Sequence, residues 1–266
     1  MGFVLNLATN LLANVVFWLG LGVTVWLGAR LIRRRFFRFF GLRRDGQFTV
    51  HLSNLWDPAS RGNTAGYTIS MHELRATQSG EQLFGSATMR MPEAVRGLVD
   101  SVWLRQISRP ELVVSPLDPS KVSLATSSIV VGGASRNVIR ATYFDSAMLF
   151  LGSEDEEIGK RSYDSHLAGF PVRVYRGQRA GEEIRTSLNP AILEKIYDAS
   201  RDITLFFCLG LRGDGSWAAV EYLVRNWMVL RREFGDRDFA LCLGFPASST
   251  YLERYVEPAR LAVVVG

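Results

Sequence analysis

Apolar positions along the chain change their pattern three times. From Met1 to Ala29 no side chain is charged, and the densest stretch, Leu11 to Ala29, has the length a helix needs to cross a bilayer. Between residues 30 and 44 arginines and phenylalanines interleave. From Gln47 to Leu52 polar and apolar residues alternate, as in a strand. Residues 54–66 are rich in turn formers, and two helical stretches are expected after them, at Ser70–Phe84 and Pro92–Gln106, the second with a proline in its first turn.

Beyond Pro110 the texture becomes one of short apolar runs. Leu112–Val114, Ile129–Val131, Ala147–Leu151, Val172–Tyr175, Ile203–Leu209, Phe239–Leu243 and Leu261–Val265 are rich in Val, Ile and Phe. Most lack alternation, as strands buried on both faces do. Helical patterns are expected at Pro190–Ala199 and Trp217–Phe234. The alternation predicts an α/β fold: a Rossmann-like, mainly parallel sheet behind one N-terminal transmembrane helix. The expected organisation is an anchor with a basic flank over 1–44 and an α/β domain over 45–266, the latter divided into a helical subregion (45–110) and a core (111–266).

Charge sharpens the picture of the anchor. Arg30, Arg33, Arg34, Arg35, Arg38, Arg43 and Arg44 follow the apolar run, and nothing basic precedes it. A cleaved leader has the opposite order. The positive-inside bias then predicts an N-terminus outside the cell and a domain in the cytoplasm. Phe36, Phe37, Phe39 and Phe40 among these arginines suggest an amphipathic segment lying in the headgroup layer against anionic lipid. Gly20, Thr24 and Gly28 recur every four residues, a spacing that lets membrane helices approach closely in a homo-oligomer.

Removing those seven arginines from the 31 basic residues leaves 24 against 26 acidic residues in 45–266. A domain with a net charge of −2 has no basic footprint for nucleic acid, so no nucleic-acid partner is expected. Cys208 and Cys242 sit in apolar runs and read as buried free thiols. His51, His72 and His166 are scattered, and no metal site is expected.

Two glycine-bearing turns carry the candidate chemistry. Ile129–Val131 runs into Gly132, Gly133, Ser135 and Asn137, with Arg140 a turn later. Ile203–Leu209 runs into Arg212, Gly213, Asp214, Gly215 and Ser216, where a helix opens. Ligands of α/β sheets bind beyond the carboxyl ends of strands. Glycines admit the backbone close to a ligand, and a helix N-terminus offers N–H groups to an anion. The bland alternative is that Gly132-Gly133 turns the chain tightly and Asn137 caps a helix. Ser216 is the expected cap of the second helix. The second turn has neither the Gly-Lys-Ser/Thr ending of a P-loop nor the spacing of the dinucleotide fingerprint. Over about ten residues the second turn loosely resembles the glycine-rich turns of nucleotide-sensing Rossmann-like domains, some of which sit behind membrane helices.

The sequence therefore leads first to a membrane-tethered sensor of a nucleotide or similar anionic metabolite, partnered by the lipid bilayer. No cofactor is indicated. Asp214 and Glu221 are the acid–base candidates if the domain is instead a nucleotide hydrolase or glycosyl-transferring enzyme, with Asp145 less well placed. The third reading is a membrane scaffold whose glycines are purely structural.

Overall fold

The computed structural model describes residues 2–43, 47–53, 74–79, 110–114, 122–133, 138–143, 146, 148–153, 172–176, 184–186, 188–210, 213–246 and 256–266. The helix expected at Pro92–Gln106 lies outside them, and only 74–79 of the helix expected at Ser70–Phe84 lies inside, as helix.

A single helix, α1 (Gly2–Phe40), occupies the N-terminal region. At 39 residues it is about 58 Å long. It is long and apolar enough to cross a membrane, and Val15, Val16, Phe17, Trp18, Leu19 and Trp26 are exposed along it. Contiguous exposed apolar surface of this kind marks a protein or membrane contact. Gly20, Gly22 and Gly28 have open space where a Cβ would stand.

Residues 30–40 do not form a separate segment lying beside the anchor. They continue α1, and the aromatics expected among headgroups are in the protein core: Phe36, Phe39 and Phe40 are fully buried. The reason is helical geometry. Ile32, Phe36 and Phe40 recur every four residues and share one face, with Phe39 beside them. That face packs against Trp227 and Phe206, with ring centroids 5.2 Å apart for Phe36–Trp227 and 5.0 Å for Phe40–Phe206. Gly41 then ends the helix. Its φ of +62 admits a Schellman motif, in which Leu42 N–H donates to the Phe37 carbonyl at 2.8 Å and Gly41 N–H to that of Arg38 at 3.4 Å.

Among the described residues ten strands follow: β1 (Thr49–Leu52), β2 (Glu111–Val114), β3 (Ser128–Gly133), β4 (Leu149–Ser153), β5 (Val172–Arg176), β6 (Ile184–Thr186), β7 (Asn189–Asp198), β8 (Ile203–Gly210), β9 (Phe239–Phe245) and β10 (Ala259–Val265). Three helices accompany them: α2 (residues 74–79), α3 (Val138–Thr142) and α4 (Gly213–Phe234). Seven strands form one sheet in the order β10-β9-β7-β8-β3-β1-β2.

The expectation of a mainly parallel sheet needs correcting. β2, β1, β3 and β8 are parallel, whereas β7 is antiparallel to β8 and β9, and β10 to β9. The architecture is a mixed α/β sheet. Antiparallel pairing enters because β7 is a strand and not the helix expected at Pro190–Ala199, and a tight turn joins it to β8. Asp198 shapes that turn, its Oδ1 accepting from Ser200 N–H and Ser200 Oγ. Nor does the Val172–Tyr175 run join the main sheet. It lies in a separate three-stranded antiparallel sheet, β4-β5-β6.

Both faces of the main sheet are covered. On one face Leu52, Val131, Phe206, Cys208, Leu193 and Leu241 meet α4 and the end of α1. On the other, Val130, Phe207, Ile192 and Cys242 meet Ile139, Tyr143 and Leu149. Every residue of β8 is buried, which explains an apolar run interrupted by Thr204 alone. Cys208 and Cys242 are free thiols on opposite faces, and burial pushes both up, Cys242 to about 12.

Candidate functional site

The two glycine turns end neighbouring parallel strands, with Gly132 opposite Leu209 and Gly133 opposite Gly210. They are joined by Ser216, whose Oγ donates to the Gly132 carbonyl at 2.7 Å and accepts from Gly210 N–H at 3.0 Å. Ser216 is not the cap expected of it. The helix begins at Gly213, so Ser216 lies inside the first turn, fully buried, and its hydroxyl holds two strand ends together.

The glycines have distinct duties. Gly132 adopts a φ of 153, open to glycine and strained for other residues. A Cβ on Gly215 would stand 3.3 Å from Gly210 Cα and 3.4 Å from the Pro190 carbonyl, so glycine brings the helix start against β8 and β7. Asp214 lies in the first turn of α4, where a carboxylate is favoured by the helix dipole, and its Oδ1 accepts from Gly215 N–H at 3.0 Å. The first turn of α4 thus stands at the carboxyl ends of β3 and β8, beside the close of β1, where Ser53 N–H and Oγ both donate to the Val131 carbonyl. Ser53 is a polar residue at this end of the sheet that the sequence pattern did not single out. Its only signal was a serine closing an alternating strand.

Arg140 does not turn toward the glycines. It is buried, its Nη2 lying 2.5 Å from Glu194 Oε2 and 3.1 Å from the Leu149 carbonyl it donates to, with its guanidinium over the Phe207 ring. Burial raises the Glu194 carboxyl above its usual range, and Arg140 opposes that rise. Glu194 pairs in register with Phe207, three residues from the Gly210 level, or about 10 Å along the strand. Glu221 accepts from Arg225 Nε at 2.7 Å, one turn apart on α4. Ser135, Asn137, Asp145 and Arg212 lie outside the described residues. Among the described residues no cluster of His, Cys, Asp and Glu could hold a metal.

The other end of α4 bears on α1. Trp227 packs against Phe36, Phe39 and Phe40. Past the helix, Asp236 pairs with Arg38 at 2.9 Å, and its carbonyl accepts from Lys195 Nζ, which lies over the Phe39 ring. Comparison of the chain with protein-family models, with curated proteins and with solved structures gives no match.

Proposed function

We propose that the protein is a membrane-tethered sensor that takes a nucleotide or similar anionic metabolite where β3 and β8 end. One observation carries this reading. α4 begins at the joined glycine turns and packs its later turns on the aromatic face of α1. A ligand that shifts the first turn of α4 would act on the anchor through Trp227, with no flexible linker between. The arginines after the apolar run favour a cytoplasmic domain, and the Gly20, Thr24, Gly28 face offers a surface for self-association as the output.

The test is calorimetry on the full chain in detergent with ATP, NAD and inorganic phosphate, alongside a product assay. Binding without turnover, weakened at least about tenfold by Gly213→Val through steric intrusion at the turn, is the expected result. Unchanged affinity in a folded Gly213→Val protein would move the ligand elsewhere. Product formation would transfer the reading to an enzyme, and Asp214→Asn would then be the first variant to assay.

A further inference from the structure

The seven arginines after the apolar run are not equivalent. Arg38 is tied to Asp236, and Arg43 donates to the Arg201 carbonyl at 3.3 Å. Arg33 lies over the Phe37 ring at 4.9 Å, and Arg44 falls outside the described residues. Arg30, Arg34 and Arg35 remain. All three are exposed, and none has a carboxylate partner among the described residues.

Their placement is directional. Arg30 and Arg34 are one turn apart on the helix face opposite the Ile32, Phe36, Phe40 face that the domain covers. Arg30 lies over the ring of Trp26, 5.3 Å from its centroid. Tryptophan favours the boundary between hydrocarbon and headgroups, so this pair marks the level at which α1 leaves the bilayer. The domain packs on one side of the helix from Ile32 onward. Arg30, Arg34 and Arg35, none of them paired with a carboxylate among the described residues, therefore stand at headgroup depth, Arg30 and Arg34 on the uncovered side and Arg35 at its edge.

We propose that Arg30, Arg34 and Arg35 form a binding site for the phosphates of anionic lipids in the leaflet from which the domain emerges. Guanidinium groups match phosphate oxygens in bidentate geometry. The site rests on the membrane-spanning reading of α1 but not on the glycine turns.

Full-length protein reconstituted into phosphatidylcholine vesicles carrying spin-labelled phosphatidylglycerol or spin-labelled phosphatidylcholine tests it. Wild type restricts the motion of the anionic lipid several-fold more than that of the zwitterionic one, a preference that high salt weakens. The triple variant Arg30→Gln, Arg34→Gln, Arg35→Gln loses the preference yet stays in the membrane through alkaline extraction and keeps its thermal midpoint. Arg225→Gln, on α4, keeps the preference. Equal restriction of both lipids by wild type, or a preference the triple variant retains, overturns the lipid site while leaving the span intact. Alkaline release of wild type from the vesicles overturns both.

Discussion

Phe40, the last residue of α1, packs its ring 5.0 Å from that of Phe206 in the wholly buried strand β8. The end of the N-terminal helix is thus part of the wall that closes the sheet, and removing it changes the core.

Phe36→Ala and Phe40→Ala should each destabilise the domain by about 3–5 kcal/mol, the usual range for a buried phenylalanine. Phe17→Ala, on the exposed apolar stretch, should leave the denaturation midpoint in detergent unchanged. A chain starting at Asp45 lacks all three buried rings and should aggregate, while one starting near Arg30 should fold. Equal solubility of the two, by size-exclusion chromatography, would contradict the packing.

Ser216→Ala removes one hydroxyl that serves two strand ends. It leaves the Gly132 carbonyl and Gly210 N–H without that partner, at a cost of about 1–3 kcal/mol for each buried group left unsatisfied. Glu221→Gln, whose carboxylate among the described residues pairs with an exposed arginine on its own helix, should cost under about 1 kcal/mol. Hydrogen exchange at Gly210 should rise in the first variant alone.

Gly41 and Gly235 both have positive φ, at +62 and +65, but differ in surroundings. A Cβ at Gly41 would stand 2.3 Å from Thr204 Oγ1, whereas one at Gly235 meets nothing within 4 Å. Gly235→Ala should therefore cost about 1 kcal/mol, for the backbone alone. Gly41→Ala should cost clearly more, since Thr204 and Ser127 must also move, and their hydrogen bond between Thr204 N–H and Ser127 Oγ weakens. Similar thermal midpoints would refute the contrast.

His51 lies buried in β1, its Nδ1 without a hydrogen-bond partner among the described residues, and burial lowers its pKa from 6.5 to about 4. A group that binds its proton more weakly when folded favours the unfolded chain in acid. Stability should thus fall as pH drops from 6.5 toward 4, by up to about 1.4 kcal/mol per unit. His51→Leu should flatten that part of the profile, measured by denaturant unfolding at stepped pH. An unchanged slope would show that other groups set it.

Most strands were legible because burial on both faces leaves a near-continuous apolar run, as in Ile203–Leu209. β7 was not, for a physical reason. Glu194 and Lys195 interrupt its apolar residues and give the stretch a helical look, yet both are buried. Glu194 is paired with Arg140, and Lys195 Nζ donates to the carbonyls of Asp236 and Arg237 beyond α4. Those partners come from remote parts of the chain, which no local pattern contains. The same holds at the candidate site. Each glycine turn was visible alone, but their union through Ser216 depends on β3 lying beside β8, a fact of topology. The phenylalanines of α1 were misplaced because an apolar helical face fits a lipid surface and a protein core equally well.

That ambiguity has a counterpart in time. On the ribosome α1 emerges well before the rings of Phe206 and Trp227. At typical synthesis rates of about 5–20 residues per second, Phe36, Phe39 and Phe40 wait roughly ten to forty seconds for their partners. Until β8 and α4 are complete, the aromatic face of α1 lacks the residues that cover it in the folded domain, so a chain interrupted before Phe206 leaves three rings bare.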